Sequence, residues 1–345
     1  MEKTDIKSLN YSQLEFSIHQ MGEKTFRAKQ IYEWMHMKLV SDFSEMTNLS
    51  KALREKLKEV FSFTLLKPIK ILSSEIDGTQ KYLFQLHDGN VIESVLMRYK
   101  HGNSVCISTQ VGCRMGCSFC ASTLDGLVRN LTPAEMLEQI YRIQAETNER
   151  VSNIVLMGSG EPFDNYSNVL QFLDIITSEN GLNISARNIT ISTCGIVPKI
   201  RELADEKLQI TLAISLHASD DQVRKELMPI ARKYEIDAII DACQYYFNKT
   251  KRRLTFEYSL VAGVNDTEEE AKKLSKLLKG LNCHVNLIPV NPIKERDFKQ
   301  SDQYQIEKFK NNLEKNGINV TIRREMGRDI QGACGQLRHS FIEES

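Results

Sequence analysis

Seven short β-rich runs recur in the second two-thirds of the chain, with helix-like stretches between most of them. They are Val105 to Ser108, Asn153 to Met157, Asn188 to Ser192, Gln209 to Leu216, Leu254 to Leu260, His284 to Val290 and Asn319 to Ile322. Strand and helix in alternation predict parallel βα units, hence an α/β sheet or barrel. One helix start is explicit: Thr132-Pro133-Ala134-Glu135 is a capping box with proline in the first turn. The chemistry-bearing motifs fall just after the runs. A cysteine cluster follows the first, Gly158-Ser159-Gly160-Glu161-Pro162 the second and Ser192-Thr193-Cys194-Gly195 the third. Ser215-Leu216-His217 ends the fourth, and Asn291-Pro292 follows the sixth. Strand C-terminal ends of parallel barrels share one face, where active sites sit, so these motifs are expected to form a single site.

Ahead of this region, residues 1 to 75 carry apolar residues at helical spacing, from Leu9 and Leu14 through Ile31, Trp34 and Met35 to Leu53 and Leu57. No strand signal is read there, and a helical module is expected. Tyr82 to Leu86 and Val91 to Met97 alternate around His87-Asp88-Gly89-Asn90, which predicts a hairpin connector over 76–98 with Glu93 on its second strand. The barrel then spans 99–330 and a tail 331–345.

With 41 % hydrophobic residues in 345, the chain has enough apolar content for a substantial core. The 45 basic and 45 acidic residues cancel, so nucleic-acid contact requires local patches. Candidates are Arg224-Lys225, Arg232-Lys233, Lys249 to Arg253 and, nearest the tail, Arg323-Arg324. No apolar run approaches the ~20 residues of a membrane span. Met1-Glu2-Lys3-Thr4-Asp5 has no signal-peptide core, so a cytoplasmic protein is expected.

In such a setting the eight cysteines do not read as a disulfide framework. Cys113, Cys117 and Cys120 form a C-x3-C-x2-C spacing. Three thiolates at that spacing suit a [4Fe–4S] cluster with one iron left open, which S-adenosylmethionine chelates through its amino and carboxylate groups. Zinc is the rival ligand, with His101 or His217 completing a tetrahedron. The glycines of Gly158 to Glu161 would let the backbone approach such a cofactor, and Glu161 could meet its ammonium. Each of these residues also has a plain structural explanation: serines at strand ends satisfy backbone groups, and a histidine is as often a hydrogen-bonded core residue.

The segments Cys106 to Cys113, Cys120-Ala121-Ser122-Thr123, Arg129 to Thr132, Met157 to Pro162 and Ala333-Cys334-Gly335-Gln336-Leu337 together resemble the RlmN-type dual-specificity RNA adenosine methyltransferases of the radical S-adenosylmethionine superfamily, from about Glu93 to Leu337. The resemblance implies a partial (β/α)6-type barrel with a small N-terminal helical accessory domain. It implies that Gly160, Glu161, Ser192, Ser215, Leu216, His217 and Asn291 line the cofactor pocket and that Cys113, Cys117 and Cys120 hold the cluster. Cys194 departs from the serine that relatives carry. Cys334 would accept a methyl from one S-adenosylmethionine, and a second, cleaved at the cluster, would turn that methyl into a carbon radical that adds to adenine. Glu93 would take the ring proton, and Cys106 would attack the Cys334 sulfur, releasing product and leaving a transient disulfide. The implied partners are 23S rRNA, tRNA and a flavodoxin- or ferredoxin-type electron donor, with a monomer sufficing. Two alternatives stay open: a Cfr-type enzyme methylating carbon 8, and a zinc-stabilised RNA-binding protein.

Overall fold

The computed structural model describes residues 3–291 and 297–330. Short strands β1 (Thr4–Asp5) and β2 (Phe61–Ser62) pair in parallel and bracket helices α1 (Tyr11–Gln20), α2 (Phe26–His36) and α3 (Lys51–Val60). An Asn10/Gln13 capping box starts α1, and the Ser50 hydroxyl accepts the Leu53 N–H at the start of α3.

Next come β3 (Lys67–Ser73), β4 (Gln80–Gln85) and β5 (Val91–Tyr99), mutually antiparallel. The expected hairpin is β4–β5, its turn closed by Leu86 N–H to Asn90 O at 2.8 Å with Gly89 at φ +82°. Strand β3 falls inside the stretch expected to be helical only. It is an edge strand with Pro68 and a bulge, and none of its side chains is fully buried, so it carries no clean alternation. Nor is the hairpin a separate connector, because β5 pairs with β6 (Gly102–Cys106) and continues into the main sheet.

After β6, a two-stranded ribbon of β7 (Gln110–Gly112) and β8 (Leu127–Asn130) brackets the cysteine loop. The chain then alternates α4 (Pro133–Thr147), β9 (Val151–Leu156), α5 (Tyr166–Thr177), β10 (Ile189–Thr193), α6 (Val197–Asp205), β11 (Thr211–Ser215), α7 (Asp221–Leu227), α8 (Ile236–Thr250), β12 (Leu254–Leu260), α9 (Glu268–Leu278), β13 (Cys283–Pro289), α10 (Gln303–Lys315) and β14 (Asn319–Ile322). The main sheet has ten strands in the order β14-β13-β12-β11-β10-β9-β6-β5-β4-β3, parallel from β14 to β6. The six-strand parallel run β6 to β13 is therefore extended by β14 on one side and by the antiparallel wing on the other.

Alternation within the strands sets up the site. In β12, Leu254, Phe256, Tyr258 and Leu260 join the core under the helices, while Thr255, Glu257 and Ser259 take the opposite, lumen face. Neighbouring strands follow suit, with Ser192, Ser215 and Asn286 in step with Glu257 and its row. The barrel interior is thus polar on its inner wall.

The helical module is fused to this frame through α4. Ile6, Leu14 and Ile31 lie in one continuous core with Met136, Leu137 and Ile140. Lys7 Nζ lies 2.5 Å from Glu138 Oε1, both fully buried, and Glu138 Oε2 accepts the Leu66 N–H at 3.2 Å. His36 Nδ1 lies 2.7 Å from the Tyr141 hydroxyl, and burial pushes the His36 pKa down to about 3.

Candidate active site

The loop after β6 is stitched to the frame at both ends. Ser108 N–H donates to Gln139 Oε1 at 2.8 Å, and Gln139 Nε2 returns a bond to Ser108 O at 3.0 Å. Cys113 N–H donates to Gly126 O at 2.8 Å, where Gly112 sits at φ +73° with no room for a Cβ. Between these ties Cys113, Cys117 and Cys120 line a cavity of about 220 Å³. Burial pushes the Cys113 thiol up to about 12 and the Cys117 thiol well above its ordinary value, and the neighbouring cysteines add to both. Bare thiolates are therefore disfavoured here, and bound cationic charge reverses that. Among the described residues, no three His, Cys, Asp or Glu side chains are placed to hold one metal ion. Thiols spread around a cavity rather than converging on a point suit a polynuclear iron–sulfur body. His101, offered above as a zinc ligand, is exposed at the turn entering β6 and stacks on Tyr99, at the other end of the strand from the cysteines.

The glycine-rich turn after β9 presses on the same loop. A Cβ on Gly158 would lie 2.6 Å from Ile107 O, and one on Gly160, at φ +105°, 2.6 Å from Gln110 Cβ. What approaches these glycines is the neighbouring protein chain. Gly158 and Gly160 nonetheless border the cavity, as does Glu161. Both Glu161 carboxylate oxygens already have donors: Phe163 N–H at 3.0 Å and Cys194 N–H at 2.7 Å.

Ser192 and Ser215, on adjacent strands, have hydroxyls 3.3 Å apart at the cavity wall. His217 adopts φ +58°, and its Nδ1 accepts the Ser259 N–H at 2.9 Å. Burial lowers its pKa to about 3, so the ring is neutral with its proton on Nε2. Leu216 differs from expectation: its side chain belongs to the core and borders neither cavity described here. Its carbonyl accepts from Arg224 Nε at 3.1 Å. Arg224, read from the sequence as a surface charge, is fully buried and also donates to Cys194 O at 2.7 Å, so it is removed from the basic surface candidates.

A second cavity of about 270 Å³ adjoins the first, the two sharing Phe119, Cys120, Met157, Ser259, Ile288 and Arg323 in their walls. Cys106, Asn291 and Arg324 face this one. Cys106 is the cross-strand partner of Val95, so Glu93, two residues along β5, shares its lumen face. Glu93 borders neither cavity; it is buried with its Oε2 3.2 Å from Lys81 Nζ. Lys249 to Arg253 precede β12 and so lie at the strands' N-terminal end, away from the site. Cys334 and the rest of the 331–345 tail lie outside the described residues. Glu257, which also borders the cysteine cavity, carries no motif signal: in Leu254-Thr255-Phe256-Glu257-Tyr258-Ser259-Leu260 it is one polar residue of an alternating strand.

The described helices include none long and apolar enough to cross a membrane. Residues 107–277 match the radical SAM superfamily model and residues 4–63 that of the ribosomal RNA large subunit methyltransferase N-terminal domain. A crystal structure of a radical SAM methyltransferase from Sphaerobacter thermophilus superposes with a TM-score of 0.92 at 43 % identity, covering 96 % of this chain and 98 % of that one. Fold and site define a radical S-adenosylmethionine methyltransferase, a class that works with a [4Fe–4S] cluster and S-adenosylmethionine. The probable dual-specificity RNA methyltransferase RlmN of Lachnospira eligens is 65 % identical over 341 residues, 99 % of this chain and 97 % of that protein. The corresponding protein of Lachnoclostridium phytofermentans is 62 % identical over 344 residues, 100 % of this chain and 97 % of its own. The chain belongs to the RlmN family of dual-specificity RNA methyltransferases.

Proposed function

We propose that this enzyme methylates carbon 2 of one adenosine in the peptidyl-transferase centre of 23S rRNA and of the adenosine 3′ to the anticodon in tRNA. The observation that carries the reading is the adjacency of two cavities, one lined by Cys113, Cys117 and Cys120 and the other by Cys106, with Cys120 and Met157 between them. An electron-poor ring carbon is no nucleophile for a sulfonium methyl, so the methyl has to be carried on protein first.

In this reading Cys113, Cys117 and Cys120 hold the cluster. With the cluster and S-adenosylmethionine bound there, the cofactors would supply a 5′-deoxyadenosyl radical. Gly160, Glu161, Ser192, Ser215 and His217 orient the cofactor from the cysteine cavity, His217 as an Nε2–H donor; the Leu216 backbone assists, and Asn291 reaches it from the adjoining cavity. The Cys334 thiolate would attack the methyl carbon of one S-adenosylmethionine, with S-adenosylhomocysteine as the leaving group, and its sulfur would later carry the carbon bonded to adenine. Glu93, oriented by Lys81, accepts the ring proton. Cys106 attacks the Cys334 sulfur, which breaks the carbon–sulfur bond to the product and forms a disulfide that an external reductant must reopen. Only 3 % of Cys106 is exposed, which shields its thiol from competing oxidants. The target base has to leave its stack to reach these groups. A flavodoxin- or ferredoxin-type electron donor, a monomeric state and a cytoplasmic setting belong to the same proposal.

Nucleoside mass spectrometry after an anaerobic assay with methyl-trideuterated S-adenosylmethionine tests it. Two deuteriums in 2-methyladenosine are expected. Label in 8-methyladenosine would refute the carbon-2 assignment, and three retained deuteriums would refute the methylene route.

A further inference from the structure

Glu257 sits at the middle of β12 with 4 % of its surface exposed. Asn286 Nδ2 donates to its Oε1 at 2.9 Å, while Oε2 is buried without a hydrogen-bond partner among the described residues. An acceptor left open in an interior is costly and persists where a ligand brings the donor. The carboxylate borders the cysteine cavity and not the adjoining one that holds Cys106 and Arg324.

Register explains its placement. Ser215, Glu257 and Asn286 are directly paired across three strands, and the Ser192 hydroxyl extends the row from the next strand. Strands about 4.8 Å apart thus present hydroxyl, hydroxyl, carboxylate and amide in line along one wall. Glu161 is the other carboxylate of this cavity, and it already accepts two backbone N–H bonds.

The chemistry of the expected donor follows from the surroundings. Arg323 also borders the cavity, and its positive charge acts on the Glu257 carboxylate. A cationic ligand group would be repelled by that guanidinium, whereas neutral hydroxyls would not. A carboxylate beside serine hydroxyls on the lumen face of a parallel sheet suits a vicinal diol, as the acidic residue of dinucleotide-binding sheets accepts a ribose hydroxyl.

We propose that Glu257 is the acceptor for the ribose hydroxyls of the S-adenosyl cofactor, an assignment that rests on the cysteine cavity holding that cofactor. The target nucleotide of an RNA carries a ribose too, but Glu257 faces the cavity on the cysteine side. Glu257→Gln tests the contact well, because its amide oxygen still serves Asn286 while its NH2 turns an acceptor toward the cavity into a donor.

The experiment is anaerobic equilibrium binding of S-adenosylhomocysteine and its 2′-deoxy and 3′-deoxy forms to the reconstituted enzyme and to E257Q, with iron content recorded for each. In the unmodified enzyme, loss of at least one hydroxyl is expected to weaken binding about tenfold or more, the scale of a hydrogen bond to a buried charged group. E257Q is expected to weaken the parent ligand by a similar factor and that deoxy form by less than about threefold. Equal weakening of all three ligands by E257Q, or deoxy forms that bind the unmodified enzyme like the parent, would overturn the assignment. Normal cofactor binding with a loss confined to an RNA hairpin would transfer the contact to the RNA ribose and also overturn it. The underlying reading has its own readout: S-adenosylmethionine added to the reduced unmodified enzyme should change the cluster's electron paramagnetic resonance spectrum. An unchanged spectrum would remove that reading and the Glu257 assignment with it.

Discussion

Glu138 and Glu257 are both buried carboxylates, yet the structure treats them in opposite ways. Glu138 joins the helical module to the barrel, and its oxygens meet Lys7 Nζ at 2.5 Å, Arg142 Nε at 3.2 Å and the Leu66 N–H at 3.2 Å. Glu257 has one hydrogen-bond partner, Asn286, and its other oxygen is buried without one among the described residues. At the joint the Glu138 carboxylate is met by donors on both oxygens, although His36 Nε2 nearby is buried without a hydrogen-bond partner among the described residues. At the middle of β12 a polar group is left open in a residue that borders a cavity. The contrast is between the two carboxylates: one is closed by protein donors, and the other keeps an open acceptor in a residue that borders a cavity.

Breaking each carboxylate separates the two cases most strongly. Glu138→Ala leaves Lys7 buried and unpaired, which is expected to cost about 3–5 kcal/mol in denaturant unfolding. Glu257→Gln in the cluster-free protein is expected to change stability by less than about 1 kcal/mol, since Asn286 keeps an acceptor. Similar costs for both would erase the contrast.

A pH series probes the joint at the next level of effect. His36 has its folded pKa depressed to about 3, so the fold holds it neutral while the unfolded chain binds a proton below about pH 6.5. Its contribution is fully present above the unfolded value and is lost as pH falls toward the folded one. Between pH 6.5 and 5 it should remove up to about 2 kcal/mol, and His36→Gln should flatten the profile by at most about 1.4 kcal/mol per pH unit. An unchanged slope in the variant would show that this ring does not titrate on unfolding.

The smallest effects concern RNA. Arg324 borders the Cys106 cavity, whereas Arg253 precedes β12 at the other end of the sheet. Arg324→Ala is expected to weaken RNA binding about three- to tenfold and lower the salt slope by about one, while Arg253→Ala stays within about twofold. Salt-dependent filter binding reads both, and the reverse order would move the RNA face.

The strands and the cysteine loop were legible because their signals are local. Short β-rich runs mark β6 and β9 to β14, though not the short β7–β8 ribbon, and the spacing of Cys113, Cys117 and Cys120 is visible in a single stretch. What escaped depends on register or on burial that no short pattern encodes. Glu257 matters because β11, β12 and β13 pair it with Ser215 and Asn286. Lys81 meets Glu93 only through the β4–β5 ladder, in which Lys81 stands opposite Val95 and Leu83 opposite Glu93. Arg224-Lys225 looks like solvated charge, yet four carbonyls, of Cys194, Ser215, Leu216 and Tyr234, draw the Arg224 guanidinium inside. Edge strand β3 lacks the buried alternation by which strands are recognised.

The most direct test of the two-cavity account is Cys106→Ala, incubated anaerobically with S-adenosylmethionine, reductant and an unmodified 23S rRNA fragment. Retained iron and a covalent protein–RNA adduct that survives denaturing electrophoresis are expected, with no methylated adenosine released. Normal release of product by the variant would contradict the resolving role of Cys106 and the division of chemistry between the two cavities.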